Sequence, residues 1–301
     1  MKLSNISKTF VVVALLSACE KDVTVKPIKN FSGQLVIEGI LFPGETPRIF
    51  INITQPFFNS NVRPNEIFVP DAQVTIAGPS GIDVLSPDST FDKFRCRWTP
   101  YYQGNILVES GEPYDLTVTQ NGNTFTASTT INQPKVAIEY VEYVAAFNDI
   151  YGGHDGVEII FKDASGPGNF YRFQMNRMIN NEVLHVDVLD VLVNSCTDGE
   201  DFLVTDLGRN IFKDENVDGS QMKILAEVAY EYLENDSTWI FIQSLDRNSA
   251  EFYEQLDLQL QARINPFVEP VLLETKIEGA IGVFGSAVRS DSVLFVFPVD
   301  G

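Results

Sequence analysis

Histidine is nearly absent from this chain: only His154 and His185 occur in 301 residues. His154 sits in Gly152-Gly153-His154-Asp155-Gly156 and reads as a loop residue. His185 lies in Leu184-His185-Val186 and reads as a strand residue. With no second histidine at ligand spacing, neither suggests an imidazole-based metal centre. Neither is placed beside a nucleophile, as a Ser-His-Asp arrangement requires. Cysteine is as scarce, with Cys19, Cys96 and Cys196 only. There is no Cys-x-x-Cys, His-Glu-x-x-His, Gly-x-Ser-x-Gly or Gly-x-x-x-x-Gly-Lys. Carboxylates abound, but among 41 of them spacing alone selects no hydrolytic pair. The expectation is a protein that is not an enzyme.

Positive charge is also in short supply. Lys and Arg total 21 against 41 Asp and Glu, a net charge of −20. Nucleic-acid binding is excluded as a principal role, because that affinity rests on cations neutralising phosphates. Long apolar runs are missing too. The longest candidate, residues 10–16, is far short of the ~20 residues needed to span a bilayer.

That short run has a purpose of its own. Lys2 and Lys8 precede it, and Leu16-Ser17-Ala18-Cys19 closes it. A small residue before the cut and a cysteine after it form a lipobox. Residues 1–18 read as a lipoprotein signal peptide, and Cys19 as the lipid-modified first residue of the mature chain. The acyl chains would hold the protein to a membrane while the body stays in water. Loss of Lys2 and Lys8 leaves the mature chain more acidic still. Residues 19–33 read as a tether. Its Glu20-Lys21-Asp22 loosely resembles the acidic signal that sends some lipoproteins to the cell surface, with a solvated linker as the competing reading. Cys96 and Cys196 lie in widely separated segments and read as two separate thiols, although an oxidising compartment permits a bridge.

From residue 34 onward the pattern is strand-like. Stretches 35–40, 48–54, 72–77, 91–98, 105–108, 114–119 and 124–131 are short, β-branched and partly alternating. Gly78-Pro79-Ser80-Gly81 and Asn121-Gly122 supply turns, the second a two-residue hairpin turn. About seven strands at this spacing predict an immunoglobulin-like β-sandwich over 34–133, ending near Pro134. Residues 134–301 read as a larger β-rich domain. Its strands are expected at 136–147, 157–161, 170–179, 183–193, 222–232, 239–245, 271–275, 282–287 and 293–297. One helix is expected at 249–263, capped by Asn248 with Glu251 as the reciprocal partner. Phe252, Leu256, Leu260 and Ile264 would form its buried stripe. The fold class is mainly all-β.

Two groups of residues could carry binding. Asp214-Glu215-Asn216-Val217-Asp218-Gly219 matches the opening of a calcium loop, with Asp214, Asn216 and Asp218 as oxygen ligands. The bidentate acid expected further along is Leu225, and no helices flank the loop, so a plain acidic turn is the competing reading. Trp98, Tyr101 and Tyr102 cluster around Pro100 and could contact a ligand or partner if exposed.

Several stretches, in order, carry a resemblance. They are Cys19-Glu20-Lys21, Leu35-Val36-Ile37-Glu38-Gly39, Asp71-Ala72-Gln73-Val74-Thr75-Ile76 and Gly111-Glu112-Pro113-Tyr114-Asp115-Leu116. Phe212-Lys213-Asp214-Glu215, Asn265-Pro266-Phe267 and Gly279-Ala280-Ile281-Gly282-Val283-Phe284-Gly285 follow. Together they resemble the Bacteroidota outer-membrane lipoproteins grouped as domain-of-unknown-function family 4249. The resemblance implies an immunoglobulin-like N-terminal sandwich and a larger β-rich C-terminal part. It also implies an accessory or lid-like role beside a TonB-dependent receptor in nutrient uptake, with no catalytic residues to carry across. A structural subunit of an envelope assembly or secretion complex is the alternative.

Overall fold

The computed structural model describes residues 31–56, 62–149, 152–179, 200–215, 217–227, 235–264, 269 and 271–298. Cys19, His185, Asn216 and the strand expected at 183–193 lie outside these. Strands β1 (Leu35–Leu41), β2 (Arg48–Ile53), β3 (Gln73–Gly78), β4 (Gly81–Asp92), β5 (Arg97–Gln103), β6 (Pro113–Gln120) and β7 (Asn123–Thr130) form the N-terminal part, with a single helical turn α1 (Pro64–Ile67). Inward residues recur every second position: Ile37 and Leu41, Ile49 and Ile51, Val74 and Ile76, then Tyr114, Leu116 and Val118. This alternation buries one face of each strand and leaves the other less covered. Each fully buried aliphatic side chain contributes about 1.5–3 kcal/mol.

β4 passes between layers. Its first half pairs with β3 and its second half, from Ser86, pairs with β5. The strand expected at 91–98 is therefore two strands. A turn at 93–96 separates them, and Cys96 takes a φ of 49°. Cys96 is disulfide-bonded, which corrects the reading of two separate thiols. Its partner lies outside the described residues. The strand expected at 105–108 does not form either. The buried Asp83 carboxylate accepts the Asn105 and Ile106 N–H groups at 2.8 and 2.9 Å, taking donors a ladder would need. Asn121-Gly122 does make the hairpin turn, with φ of 50° and 78° and Gln120 facing Asn123. Tyr114 sends its hydroxyl back to accept the Glu109 N–H at 2.6 Å, the tyrosine-corner arrangement of immunoglobulin-type sandwiches.

The remaining strands are β8 (Ile138–Asp149), β9 (Gly152–Lys162), β10 (Phe170–Ile179), β11 (Phe202–Leu207), β12 (Phe212–Lys213), β13 (Gln221–Glu227), β14 (Ser237–Leu245), β15 (Ile281–Arg289) and β16 (Val293–Val296), with the helix α2 (Arg247–Ile264). Strands β13, β9 and β8 make a small sheet. Val157, Ile159, Phe161 and Ile224 from it meet Tyr171, Phe173, Met175, Ile240 and Ile242 of β10 and β14 in a second core.

β14 pairs with β15, and β15 pairs in parallel with β1. One hydrogen-bonded path thus runs from β11 to β7. Residues 131–137, around the boundary read from the sequence, are a strand-free linker. β15, far beyond that linker, supplies Phe284 and Val288 to the N-terminal core.

Helix α2 begins two residues earlier than expected, and its cap is Asp246 rather than Asn248. Asp246 Oδ1 accepts the Ser249 N–H at 3.0 Å and Oδ2 accepts the Ser249 hydroxyl at 2.7 Å. Asp246 also accepts the Ser286 N–H, so the cap ties the helix to β15. A side chain at Gly285 would strike Ser249 Oγ and Asp246, which is why glycine stands there. Phe252 is buried as expected, but Leu260 is exposed. The strand expected at 271–275 is instead an irregular stretch laid along α2. Gln255 Oε1 accepts the Glu274 N–H at 2.7 Å, and Gln259 donates to the Val271 carbonyl at 3.3 Å. Among the described residues no helix is long and apolar enough to cross a membrane.

Candidate functional site

The β9–β13 ladder sets Lys162 opposite Gln221, which lays the turn before β13 against the loop after β9. The β10–β12 ladder sets Phe170 opposite Lys213, which brings Asp214 to the same loop. The carboxylates of Asp163, Asp214 and Asp218 consequently meet, with one oxygen from each within 4.8 Å of the others. Asp163 and Asp214 are buried and Asp218 is exposed.

Backbone donors offset the repulsion among these charges. Gly168 N–H donates to both oxygens of Asp214 at 3.1 and 2.9 Å. Gly219 N–H donates to Asp163 Oδ2 at 2.8 Å, and Gly166 N–H to Asp218 Oδ1 at 2.7 Å. The Tyr171 hydroxyl donates to Asp163 Oδ1 at 2.5 Å. Burial, then the bond to Asp163, pushes the Tyr171 pKa well above its usual value. Tyr171 therefore stays protonated and stays a donor.

Of the three ligands expected from sequence, Asp214 and Asp218 come together and Asn216 lies outside the described residues. Asp163 was not legible as their neighbour. It stands in a Gly- and Pro-rich turn, and only strand pairing brings it to Asp214. Three converging carboxylates have the hard-oxygen chemistry that calcium takes. The same groups also pin two loops to each other without any ion.

The aromatic trio divides. Trp98 is 57% exposed and leans on Phe91, its partner across the β4–β5 ladder, at 5.3 Å between ring centres. Tyr101 is 4% exposed and Tyr102 fully buried, so neither presents a contact surface. Their reading as partner contacts is corrected by burial. Tyr102 is a core strut, its hydroxyl donating to the Val69 carbonyl at 2.7 Å and accepting the Ala72 N–H at 3.0 Å. Burial raises its pKa, which keeps the hydroxyl a donor.

Sequence reasoning also missed a polar seam under α2. Arg172 is buried, stacks on Tyr253 at 4.3 Å and donates to Gln243 Oε1. Tyr253 in turn donates to Glu38 Oε1 at 2.8 Å. Desolvation lowers the Arg172 pKa and raises that of Tyr253. Neither residue stood out, because an isolated Arg in a strand and a Tyr in a helix are common.

These features define a β-sandwich-like, all-β protein with a single long helix among its described residues. The chain belongs to the family described as Domain of unknown function (DUF4249), whose model matches residues 20–292. No curated protein matches it.

Proposed function

We propose that this chain is a surface-exposed outer-membrane lipoprotein of the Bacteroidota kind, a non-enzymatic binding or accessory subunit of a TonB-dependent receptor in nutrient uptake. The lipobox ending at Cys19 carries the reading. Anchoring at Cys19 holds the body beside a neighbouring receptor and raises their effective concentration, so a modest contact affinity suffices. Trp98, exposed at the β4–β5 hairpin, is the residue of the trio suited to that contact. The test is a mild-detergent pull-down of the lipidated protein from outer membranes, with partners identified by mass spectrometry. Stoichiometric recovery of a TonB-dependent receptor supports the reading. Recovery of assembly or secretion components instead overturns it in favour of an envelope scaffold.

A further inference from the structure

An open groove of about 480 Å3 runs between the linker after β7 and the first turn of α2. Thr130, Asn132 and Gln133 form one wall, and Ser244, Arg247 and Asn248 the other. This volume is in the ordinary range for a small-molecule site, roughly 300–1,000 Å3.

The groups in it are under-used. Ser244 is 1% exposed, and its hydroxyl has no hydrogen-bond partner. Ser244 faces Val288 in the β14–β15 ladder, so it shares a sheet face with Ser286. The Ser286 hydroxyl lies against the Thr130 carbonyl at 3.2 Å and Gln133 Oε1 at 3.1 Å, so this face looks toward the groove wall. A buried hydroxyl left unpaired is costly and calls for an explanation. Asn248 is exposed at the second position of α2. Arg247 rests its guanidinium over Phe170 at 5.2 Å, and Glu251 is only a loose partner at 3.8 Å. Stacking holds the planar fork in place and leaves its N–H donors available. The helix N-terminus adds partial positive charge at the same spot.

We propose that this groove binds a hydroxylated carboxylate of the sugar-acid class. The carboxylate takes the Arg247 fork, and ligand hydroxyls meet Asn248 and Asn132. A single arginine matches a single carboxylate, and the adjacent Asp246 opposes a more highly charged anion. The amide and hydroxyl lining suits hydroxyl groups. Phe170, the one aromatic among the described residues lining the groove, is buried beneath Arg247 and offers no platform to a nucleobase. The inference is independent of the receptor partnership, and either can fail alone.

Titration calorimetry on the full mature lipoprotein in detergent tests it, with D-galacturonate, its disaccharide and neutral D-galactose as probes. The expected result is saturable binding of the acid, at least tenfold weaker binding of galactose, and at least a tenfold loss for the acid in Arg247→Gln. Asn248→Asp is a second variant, suited to a helix N-terminus and therefore expected to fold. It adds a like charge to the groove and should weaken the acid similarly. Absence of saturable heat with both acids overturns the proposal. Equal affinity for acid and galactose does so too, as does acid affinity unchanged in both variants.

Discussion

Gly282 stands opposite Ile37 in the parallel β1–β15 ladder, and any side chain there would overlap the Ile37 carbonyl oxygen. Its φ of 127° adds a conformation that other residues rarely adopt. Gly282→Ala is expected to cost about 2–4 kcal/mol, combining backbone strain with a forced opening of the ladder. Gly122→Ala, with φ of 78° and open space around it, should cost only about 1 kcal/mol. Urea denaturation of both variants checks the difference.

Tyr102→Phe removes one hydroxyl and leaves the Ala72 N–H and the Val69 carbonyl without their partner. A loss of about 1–3 kcal/mol is expected. Trp98→Ala, at an exposed position, should change stability by no more than about 0.5 kcal/mol. Trp98→Ala should nevertheless reduce recovery of a partner in the pull-down, whereas unchanged recovery removes Trp98 from the contact surface.

Asp163→Ala deprives Tyr171 and the Gly219 N–H of their acceptor, and about 1–3 kcal/mol should be lost. Calcium added to chelated wild-type protein separates the two roles of the carboxylate cluster. A raised melting temperature that Asp214→Ala abolishes assigns an ion to it. An unchanged melting temperature assigns the three carboxylates to loop pinning alone.

Asp206 on β11 has a carboxylate oxygen with no hydrogen-bond partner. Burial lifts its pKa above the usual carboxylate range against the opposing pull of Arg177 and Arg95. The folded state thus holds the proton more tightly than the unfolded chain does. The contribution of Asp206 to stability is greatest below its ordinary pKa and falls as pH rises through the raised one. Asp206→Asn should therefore flatten that part of the stability profile and gain relative to wild type as pH increases. Denaturation midpoints measured across the acid range give the sign directly.

The disulfide at Cys96 has two cysteines in the sequence to choose from, and Cys19 is the lipid acceptor of the proposed reading. Non-reducing peptide mapping is expected to recover Cys96 joined to Cys196. Closing a loop of about 100 residues can stabilise by up to about 4–5 kcal/mol in the chain-entropy account, so reduction should lower the melting temperature measurably.

Strands buried on one face were legible because Ile37, Val74 and Leu116 sit in alternating patterns that one exposed face permits. The outer half of β4 was not, since Ser86-Pro87-Asp88-Ser89-Thr90 is polar on both faces and is held by pairing with β5 alone. The α2 cap was misplaced because Asn248 and Asp246 are both competent caps, and only contact with Ser286 selects the second. Trp98, Tyr101 and Tyr102 look alike as a cluster. Burial separates them: Phe50 and Arg48 pack on Tyr101 and residues 68–72 on Tyr102, all distant in sequence. Asp214 and Asp218 were visible through their spacing, whereas Asp163 depended on a strand register that no local pattern encodes.

The parallel seat of β15 beside β1 also imposes an order on biosynthesis. β15 emerges from the ribosome long after β1, and until then β1 has an open side. The amino-terminal layer cannot close early and wait for the rest, as an autonomous first domain would. Folding has long sequence separations to bridge and should be slow for a protein of this size. A polypeptide whose first strand stays unsealed until β15 arrives suits the carriage across a membrane before folding that the proposed reading requires.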